Sequence, residues 1–249
     1  MGLVIVCGFI GACFIPSSHE NTKRSEITVL AGAGLMKPMN ELTTNFEKNT
    51  GVKINVQYGG SGELLGTLMT SKKGDVLIVG ERTNIEKAKE KGYMLNDTIV
   101  NITSHEPVIA IKKGNPKDIH SLKDLSKENV KIAIGDPQAC AIGKVSEQLF
   151  NKHGISPNIV AKTPTVNQLL TYIISGQVDA VIIWGDMLTW PESRSKIEII
   201  KIEGVKNQTI LAGVTSISKN PEISKEFVRY LKSNESKVIW EKWGFKLID

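Results

Sequence analysis

Residues 27–62 read ITVLAGAGLMKPMNELTTNFEKNTGVKINVQYGGSG and contain the pattern that decides the fold. A β-rich run, Ile27–Leu30, passes through a glycine-containing turn into a segment whose apolar residues recur at helical spacing from Leu35 to Phe46. A second run, Val52–Gln57, then ends in a Gly-Gly-Ser-Gly turn that opens another helix. Strands that alternate with helices in this way predict an α/β fold with mainly parallel sheets.

The same alternation continues along the rest of the chain, with short apolar runs such as Asp75–Val79, Lys131–Gly135 and Asp179–Trp184 between helical segments. No linker-like stretch occurs in the middle, which favours two lobes joined by crossing strands. We place lobe I at residues 26–105, lobe II at 106–208, and a return to lobe I with the C-terminal helices at 209–249.

The first residues predict export. Gly2–Ile15 is almost wholly apolar but too short to span a bilayer as a helix, which is typical of a secretory signal. Ile10-Gly11-Ala12-Cys13 resembles a lipobox, in which small residues precede a cysteine that is lipidated. We expect residues 1–25 to be a signal and tether with a lipid anchor on Cys13, and the protein to be an exported, extracytoplasmic, membrane-anchored lipoprotein. The alternative is a buried N-terminal strand.

Composition narrows the class of protein. The 249 residues are 41% hydrophobic and 23% charged, which is ordinary for a globular chain with a real core. The net charge of +5 is spread along the sequence without a block of like charges, so a nucleic-acid-binding arm is not indicated. Of three cysteines only Cys140 lies beyond the first thirteen residues, and no Cys/His ligand spacing occurs. The sequence therefore predicts neither an internal disulfide nor structural zinc.

Several predicted strands end in a Gly- or Ser-containing turn that leads directly into a helix. These turns are Ala33-Gly34, Gly60-Ser61-Gly62, Ala141-Ile142-Gly143 and, more loosely, Thr163–Val166. Helix N-termini leave backbone N–H groups unpaired and carry about half a positive charge, so they bind anions. If the four turns meet in one cleft, they form an uncharged, donor-rich cage for a compact dianion. Each turn alone is also explained by the ordinary geometry of βα loops.

Nucleotide binding and nucleophilic catalysis fit the sequence less well. Gly32 and Gly34 are followed by Lys37 where the dinucleotide frame requires a third small residue, and no Walker A lysine occurs. Cys140 precedes a helix, where the pKa of a thiol can fall, but His153 is more than two turns further along. We therefore interpret Cys140 as a packing residue.

Three polar residues stand near these features without a clear role. His105 lies at the predicted lobe crossing, which favours a hinge contact over a ligand role. Asp136 precedes a proline and is expected to form a turn. Asp186 follows Trp184 and either orients the indole loop or is a solvated loop acid.

Several segments, in a fixed order from residue 27 to residue 245, together resemble one known family. They are Leu30–Leu35, Gly59–Leu64, Gly74–Ile78, Ala110–Pro116, Ile132–Pro137 with Gly143, Val166-Asn167, Gly176–Gly185 and Trp243–Phe245. In this order they resemble the molybdate/tungstate-binding proteins of ABC importers. The resemblance implies a type II periplasmic-binding-protein fold, with two α/β lobes and a ligand cleft between them.

The resemblance also implies a set of residues that bind the oxyanion. They are Ala33, Gly34, Ser61, Gly62, Ala141, Ile142, Val166 and Trp184. Two of them depart from the family pattern, since Gly34 stands in place of a serine and Trp184 in place of a tyrosine. One hydroxyl donor is thereby lost, and an indole N–H replaces a phenol.

The function implied is capture of molybdate or tungstate for import, by a monomer that docks on the permease subunits of an ABC transporter. No catalytic residue, cofactor or free metal cation is implied. Three alternatives stay open: a binding protein for sulfate, phosphate or a small organic anion; a secreted enzyme that uses Cys140 or Ser61; and the effector domain of a regulator.

Overall fold

In the computed structural model, which describes Gly2 and residues 25–248, the chain builds two five-stranded sheets. The first has the strand order β2-β1-β3-β10-β4. Its strands are β1 (Glu26–Gly32), β2 (Lys53–Gly59), β3 (Val76–Val79), β4 (Val100–His105) and β10 (Gln208–Val214). Strand β1 is parallel to β2 and β3, whereas β10 is antiparallel to β3 and β4. The late strand β10 thus completes a sheet that the first part of the chain begins.

The second sheet repeats this plan with the order β7-β6-β8-β5-β9. Its strands are β5 (Pro107–Lys112), β6 (Lys131–Gly135), β7 (Asn158–Thr163), β8 (Ala180–Trp184) and β9 (Ile197–Lys201). Here β6 is parallel to β7 and β8, and β5 is antiparallel to β8 and β9. The two-lobe α/β architecture predicted from the sequence is confirmed.

Helices cover both sheets. They are α1 (Met36–Thr50), α2 (Ser61–Ser71), α3 (Arg82–Glu90), α4 (Ala141–His153), α5 (Val166–Ile174), α6 (Pro221–Tyr230) and α7 (Asn234–Lys242). Strands β3 and β8 are buried along their whole length, as expected for continuous apolar runs with helices on both faces of the sheet. The helix spacing read between Leu35 and Phe46 corresponds to α1, which ends at Gly51 in a left-handed conformation with φ 73°.

The chain crosses between the lobes twice. It leaves the first sheet at His105 and enters the second at Pro107, and it returns between Lys201 and Gln208. Gln208 pairs with His105 and so belongs to the first sheet. Both crossings therefore lie side by side at one edge of the first sheet, and the lobes share a double-stranded connection.

The C-terminal helices pack on lobe I, and the residues that follow α7 also contact lobe II. Trp240 is fully buried there, and its indole N–H donates to the Leu231 carbonyl oxygen over 3.1 Å. Beyond α7, the Ser104 amide donates to the Lys246 carbonyl oxygen over 2.9 Å, and the Thr189 hydroxyl donates to the Trp243 carbonyl oxygen over 3.1 Å. The last residues thus contact β4 on one side and lobe II on the other. Among the described residues, no helix has the length and apolarity needed to cross a bilayer.

Candidate functional site

A cavity of about 30 Å³ lies between the two lobes, where strands of both sheets end. Its walls come from the turn before α1, the starts of α2, α4 and α5, and the ends of β3, β4 and β8. The lining residues are Gly32, Ala33, Gly34, Leu35, Gly59, Gly60, Ser61, Gly80, His105, Cys140, Ala141, Val166 and Trp184. None of them is Lys, Arg, Asp or Glu, so no fixed side-chain charge lines the cavity.

Lobe I supplies two helix beginnings. Ala33–Leu35 forms a single 3-10 turn that continues into α1, and Ser61 is the first residue of α2. Neither start is capped by a side chain of the residue before it. The Gly60 amide, just before α2, is not free, because it donates to the Glu63 carboxylate over 3.2 Å. Glu63 is therefore engaged at the helix start and is not in the lining.

Lobe II supplies two more helix beginnings. Cys140 and Ala141 stand at the start of α4, and Thr165 and Val166 at the start of α5. These starts also lack a side-chain cap. Four helix N-termini, two from each lobe, thus converge on one cavity with their first N–H groups uncapped by side chains. This is the arrangement that attracts an anion without a cationic side chain.

The lobes touch closely around the cavity. The Gly62 amide of α2 donates to the Ala139 carbonyl oxygen of lobe II over 3.0 Å. A Cβ on Gly60 would lie 2.2 Å from that same oxygen and 2.4 Å from the Pro164 carbonyl oxygen. Only glycine at position 60 allows the two backbones to approach so closely. The cavity is therefore seen with the lobes closed over it.

Ion pairs bridge the lobes at the rim of the same cleft. Lys144 on α4 contacts the Glu81 carboxylate, and its ammonium also donates to the Thr83 hydroxyl over 3.0 Å. Lys37 on α1 lies 3.2 Å from the Glu192 carboxylate. Pairs that join the lobes in this position favour the closed arrangement, although partly exposed pairs contribute only about 0–1 kcal/mol each.

Trp184, at the end of β8, forms part of the cavity wall and is 3% exposed. A Cβ on Gly34 would lie 3.2 Å from the indole Cδ1, 3.8 Å from the indole Nε1 and 3.2 Å from the Val166 Cγ1. The indole thus occupies the space that a side chain at position 34 would need. Positions 34 and 184, the two that are expected to depart from the family pattern, therefore lie against each other, and the indole fills the space beside a residue without a side chain.

Six of the eight residues predicted to bind the oxyanion line this cavity: Ala33, Gly34, Ser61, Ala141, Val166 and Trp184. The other two, Gly62 and Ile142, do not. The Gly62 amide is used by the hydrogen bond to lobe II, and the Ile142 side chain is fully buried in the core. Cys13, the predicted lipid anchor, lies outside the described residues.

Cys140 is buried at the cavity wall and is not activated as a nucleophile. Burial raises the pKa of its thiol to about 11 and outweighs the opposing effect of the nearby Gly143 and Ile142 backbone N–H groups. The start of α4 therefore does not lower the pKa of this thiol. Asp136 forms the predicted turn, since its carboxylate accepts from the Gln138 amide over 2.8 Å.

His105 and Gly80 line the cavity although the sequence did not indicate them as site residues. The His105 ring is 4% exposed and stacks on Trp184, with 3.6 Å between centroids and 12° between planes. Behind it, Asp186 is buried, with its Oδ1 3.5 Å from the His105 Nδ1. Burial raises the pKa of this carboxyl group, and the neighbouring imidazole opposes that shift. Asp186 is thus a buried partner of the ring, not a solvated loop acid.

Comparison with known proteins places this geometry in a family. A putative binding protein of Haemophilus influenzae is 31% identical over 230 residues, which cover 90% of this chain and 92% of that protein. The molybdate-binding protein ModA of Mycobacterium tuberculosis is 25% identical over 244 residues, covering 97% and 92% respectively. The solved structure of the sulfate-binding protein SubI from the same species superposes with a TM-score of 0.81 at 15% identity, over 91% of this chain and 88% of that one.

The fold predicted from the resemblance is confirmed, because this two-lobe arrangement is shared with solved periplasmic binding proteins. Residues 27–246, nearly all of the part that the structure describes, match the family described as bacterial extracellular solute-binding protein. The cavity between the lobes lies inside this matched range. The chain therefore belongs to the bacterial extracellular solute-binding proteins.

Proposed function

We propose that this protein captures molybdate or tungstate outside the cytoplasm and delivers it to an ABC importer. One observation carries the proposal: four helix starts without side-chain caps, two from each lobe, surround one small cavity whose lining holds no Lys, Arg, Asp or Glu. A compact dianion is the ligand that such a donor set stabilises best.

The available donors are sufficient for tight binding. Backbone N–H groups near Ala33–Gly34, Ala141 and Val166 are joined by the Ser61 hydroxyl and the Trp184 indole N–H. Hydrogen bonds to a charged acceptor contribute about 1.5–3 kcal/mol each. Five such bonds offset the desolvation of the ion and support a dissociation constant in the micromolar to nanomolar range.

The size of the cavity restricts the ligand to a few heavy atoms. A single water needs about 10–15 Å³ by the same kind of measure, so 30 Å³ suits a small polyatomic ion and not a sugar or an amino acid. Tetrahedral oxyanions differ in radius more than in charge. We therefore attribute the choice of molybdate or tungstate over the smaller sulfate to the spacing of donors on the two lobes.

Lobe closure follows from the distribution of donors. Only the closed arrangement presents donors from both lobes to the same ion, so the ion binds this state more tightly and shifts the population toward it. The Gly62–Ala139 hydrogen bond and the rim ion pairs add smaller contributions. The closed form then docks on the permease subunits as a monomer, tethered through a lipid on Cys13.

Calorimetry on residues 26–249 tests the ligand assignment. All strands and helices found among the described residues lie in this range. The protein is titrated with molybdate, tungstate, sulfate and phosphate, and tryptophan fluorescence is followed in parallel. Because Trp184 lines the cavity, we expect the fluorescence to change on binding. Trp184→Phe keeps an aromatic ring, removes the indole N–H and should abolish most of that response.

Each outcome decides something specific. Heat with molybdate and tungstate alone supports the proposal. Heat with sulfate or phosphate alone would mean that the site binds an oxyanion but that its ligand is sulfate or phosphate. Absence of heat with all four anions rejects oxyanion capture. Mass spectrometry of the N-terminal peptide checks the anchor separately, since a diacylglyceryl group on Cys13 is expected and an unmodified Cys13 contradicts it.

A further inference from the structure

His105 and Trp184 bring the two lobes together at the cavity wall. His105 ends β4 of the first sheet, and Trp184 ends β8 of the second. Their rings stack, and both residues line the cavity. The His105 ring is therefore part of the cavity wall.

The polar atoms of this histidine and its acidic partner are buried and unpaired within the described protein. Neither ring nitrogen of His105 and neither carboxylate oxygen of Asp186 has a hydrogen-bond partner there. The Nδ1–Oδ1 separation of 3.5 Å suits an ionic contact and is longer than a well-formed hydrogen bond. The opposite edge of the ring faces Gly80 of the lining, where an added Cβ would lie 3.0 Å from Nε2.

Buried polar groups are rarely left unpaired, and exceptions concentrate at functional sites. Here Asp186 stands on the Nδ1 side, whereas Nε2 faces Gly80, and both His105 and Gly80 line the cavity. The ring can therefore hold one proton toward the carboxylate and a second toward the ligand.

Other charges near this pair cancel or are absent. Glu81, which follows Gly80, is paired with Lys144, and Glu106, which follows His105, is paired with Lys246 over 2.8 Å. The Cys140 thiol on the facing wall stays protonated at neutral pH because burial raises its pKa to about 11. Asp186 and the bound anion thus remain as the charges that decide the protonation of the ring.

We propose that His105, supported by Asp186, is a proton-carrying member of the binding site, so that the protein takes up a proton from solution as it binds a fully ionised oxyanion. This inference rests on the proposed function. A bare Nε2 lone pair would repel an oxyanion oxygen, whereas a protonated Nε2 donates a charge-assisted hydrogen bond to it. The dianion therefore favours the doubly protonated ring, and Asp186 balances part of the added charge.

The sign of the pH dependence follows. The bound state holds a proton that the free state releases as the pH rises, so affinity should decrease with rising pH. The slope should reach up to about tenfold per pH unit between the free and bound titrations of the pair. At either side of that window the dissociation constant should be flat.

Calorimetry in buffers of different ionisation enthalpy measures the proton directly. Residues 26–249 are titrated with molybdate from about pH 5 to about pH 8, the range in which histidine commonly changes charge. His105→Gln keeps an amide donor but cannot titrate, so it should bind molybdate without proton uptake. His120→Gln makes the same substitution at an exposed histidine and should behave as wild type. Asp186→Asn should shift the window to lower pH.

The outcomes separate this inference from the proposed function. Buffer-dependent heat in wild type and His120→Gln that disappears in His105→Gln supports the assignment. Molybdate binding with a flat pH profile and no buffer-dependent heat overturns it and leaves the proposed function standing. Buffer-dependent heat that persists in His105→Gln also overturns it. Failure of all four anions to bind wild type overturns both. If His105→Gln does not fold, ¹⁵N spectra of wild-type histidines decide: the His105 ring should become doubly protonated on addition of molybdate.

Discussion

Replacing Gly34 by serine should weaken oxyanion binding, although it restores the hydroxyl that the related family carries. The added Cβ would lie 3.2 Å from both the Trp184 Cδ1 and the Val166 Cγ1, closer than ordinary van der Waals contact. Overpacking of this kind costs about 1–3 kcal/mol. If the strain falls on the closed state, the dissociation constant should rise by about 5- to 150-fold.

The double variant Gly34→Ser with Trp184→Tyr should recover much of that loss. The smaller phenol leaves room for the serine and returns both positions to the family pattern. Trp184→Tyr alone should also bind more weakly, because it removes the indole donor and part of the stacking surface on His105. The two substitutions should therefore be coupled favourably by about 0.5–3 kcal/mol.

Calorimetry with one ion on the four proteins gives the coupling energy. Thermal unfolding of each protein separates damage to the fold from damage to the site. Gly66→Ser, the same substitution at a glycine of α2 with no heavy atom within 4 Å of its added Cβ, is the matched control and should bind as wild type. Wild-type affinity in Gly34→Ser would refute the steric argument. The argument would also be refuted if the loss of binding free energy in the double variant equalled the sum of the two single losses within about 0.3–0.5 kcal/mol.

Three further variants test closure and burial. Gly60→Ala places a Cβ 2.2 Å from a carbonyl oxygen of the other lobe, so it should hold the lobes apart and abolish measurable binding. X-ray scattering should then show a larger radius of gyration. The control Gly66→Ala should change neither the binding nor the radius of gyration. Lys144→Gln removes the ion pair with Glu81 and should weaken binding by at most about fivefold at low salt, and by less at high salt. A larger loss of affinity that does not depend on salt would contradict the view that this pair is a partly exposed contact at the rim of the cleft. Asp186→Asn addresses a buried acid whose pKa is raised by burial, so the folded wild type is favoured below the ordinary carboxyl pKa of about 4 and loses stability as the pH rises through the raised one. The variant should therefore gain unfolding free energy relative to wild type as the pH rises above about 4 in urea titrations, and a relative loss would show that the ion pair with His105 dominates.

The sequence predicted the lobes because their central strands are continuous apolar runs. Val76–Val79 and Ala180–Trp184 are buried throughout, so packing and β propensity agree there. Strands β4 and β7 were not predicted. β7 is an edge strand with three exposed residues at its start, and β4 carries Asn101 and Thr103 among its apolar positions. β7 thus lacks a buried apolar face, and in β4 the apolar–polar alternation stops at Thr103 and is followed by the buried polar residues Ser104 and His105. Both apolar patterns are too short to predict a strand.

The helix N-termini around the cavity were predictable from the sequence, whereas His105 in the cavity wall was not. Glycine turns before helices are local patterns, and the fold brings their N-termini to one cleft because they follow adjacent parallel strands of each sheet. His105 comes from a strand end in the other half of the topology and gains its role only by stacking on Trp184. That contact joins residues 79 positions apart in two lobes, and nothing in the spacing of the sequence indicates it.

A site without Lys, Arg, Asp or Glu in its lining serves a transport cycle better than a site with fixed cations. A cluster of Lys or Arg would hold a dianion in the open state as well as in the closed state, and release to a permease would then require the loss of full ion pairs. Helix N-termini instead divide the stabilisation between two lobes, so that separating the lobes removes half of the donors at once. His105 and Trp184 lie at the connection between the lobes, where Pro107 pairs with Trp184 and the Gly185 amide donates to the Glu106 carbonyl oxygen over 2.8 Å. If His105 binds a proton together with the ion, as proposed, departure of the ion removes the charge that favours the doubly protonated ring, and the proton is released with it.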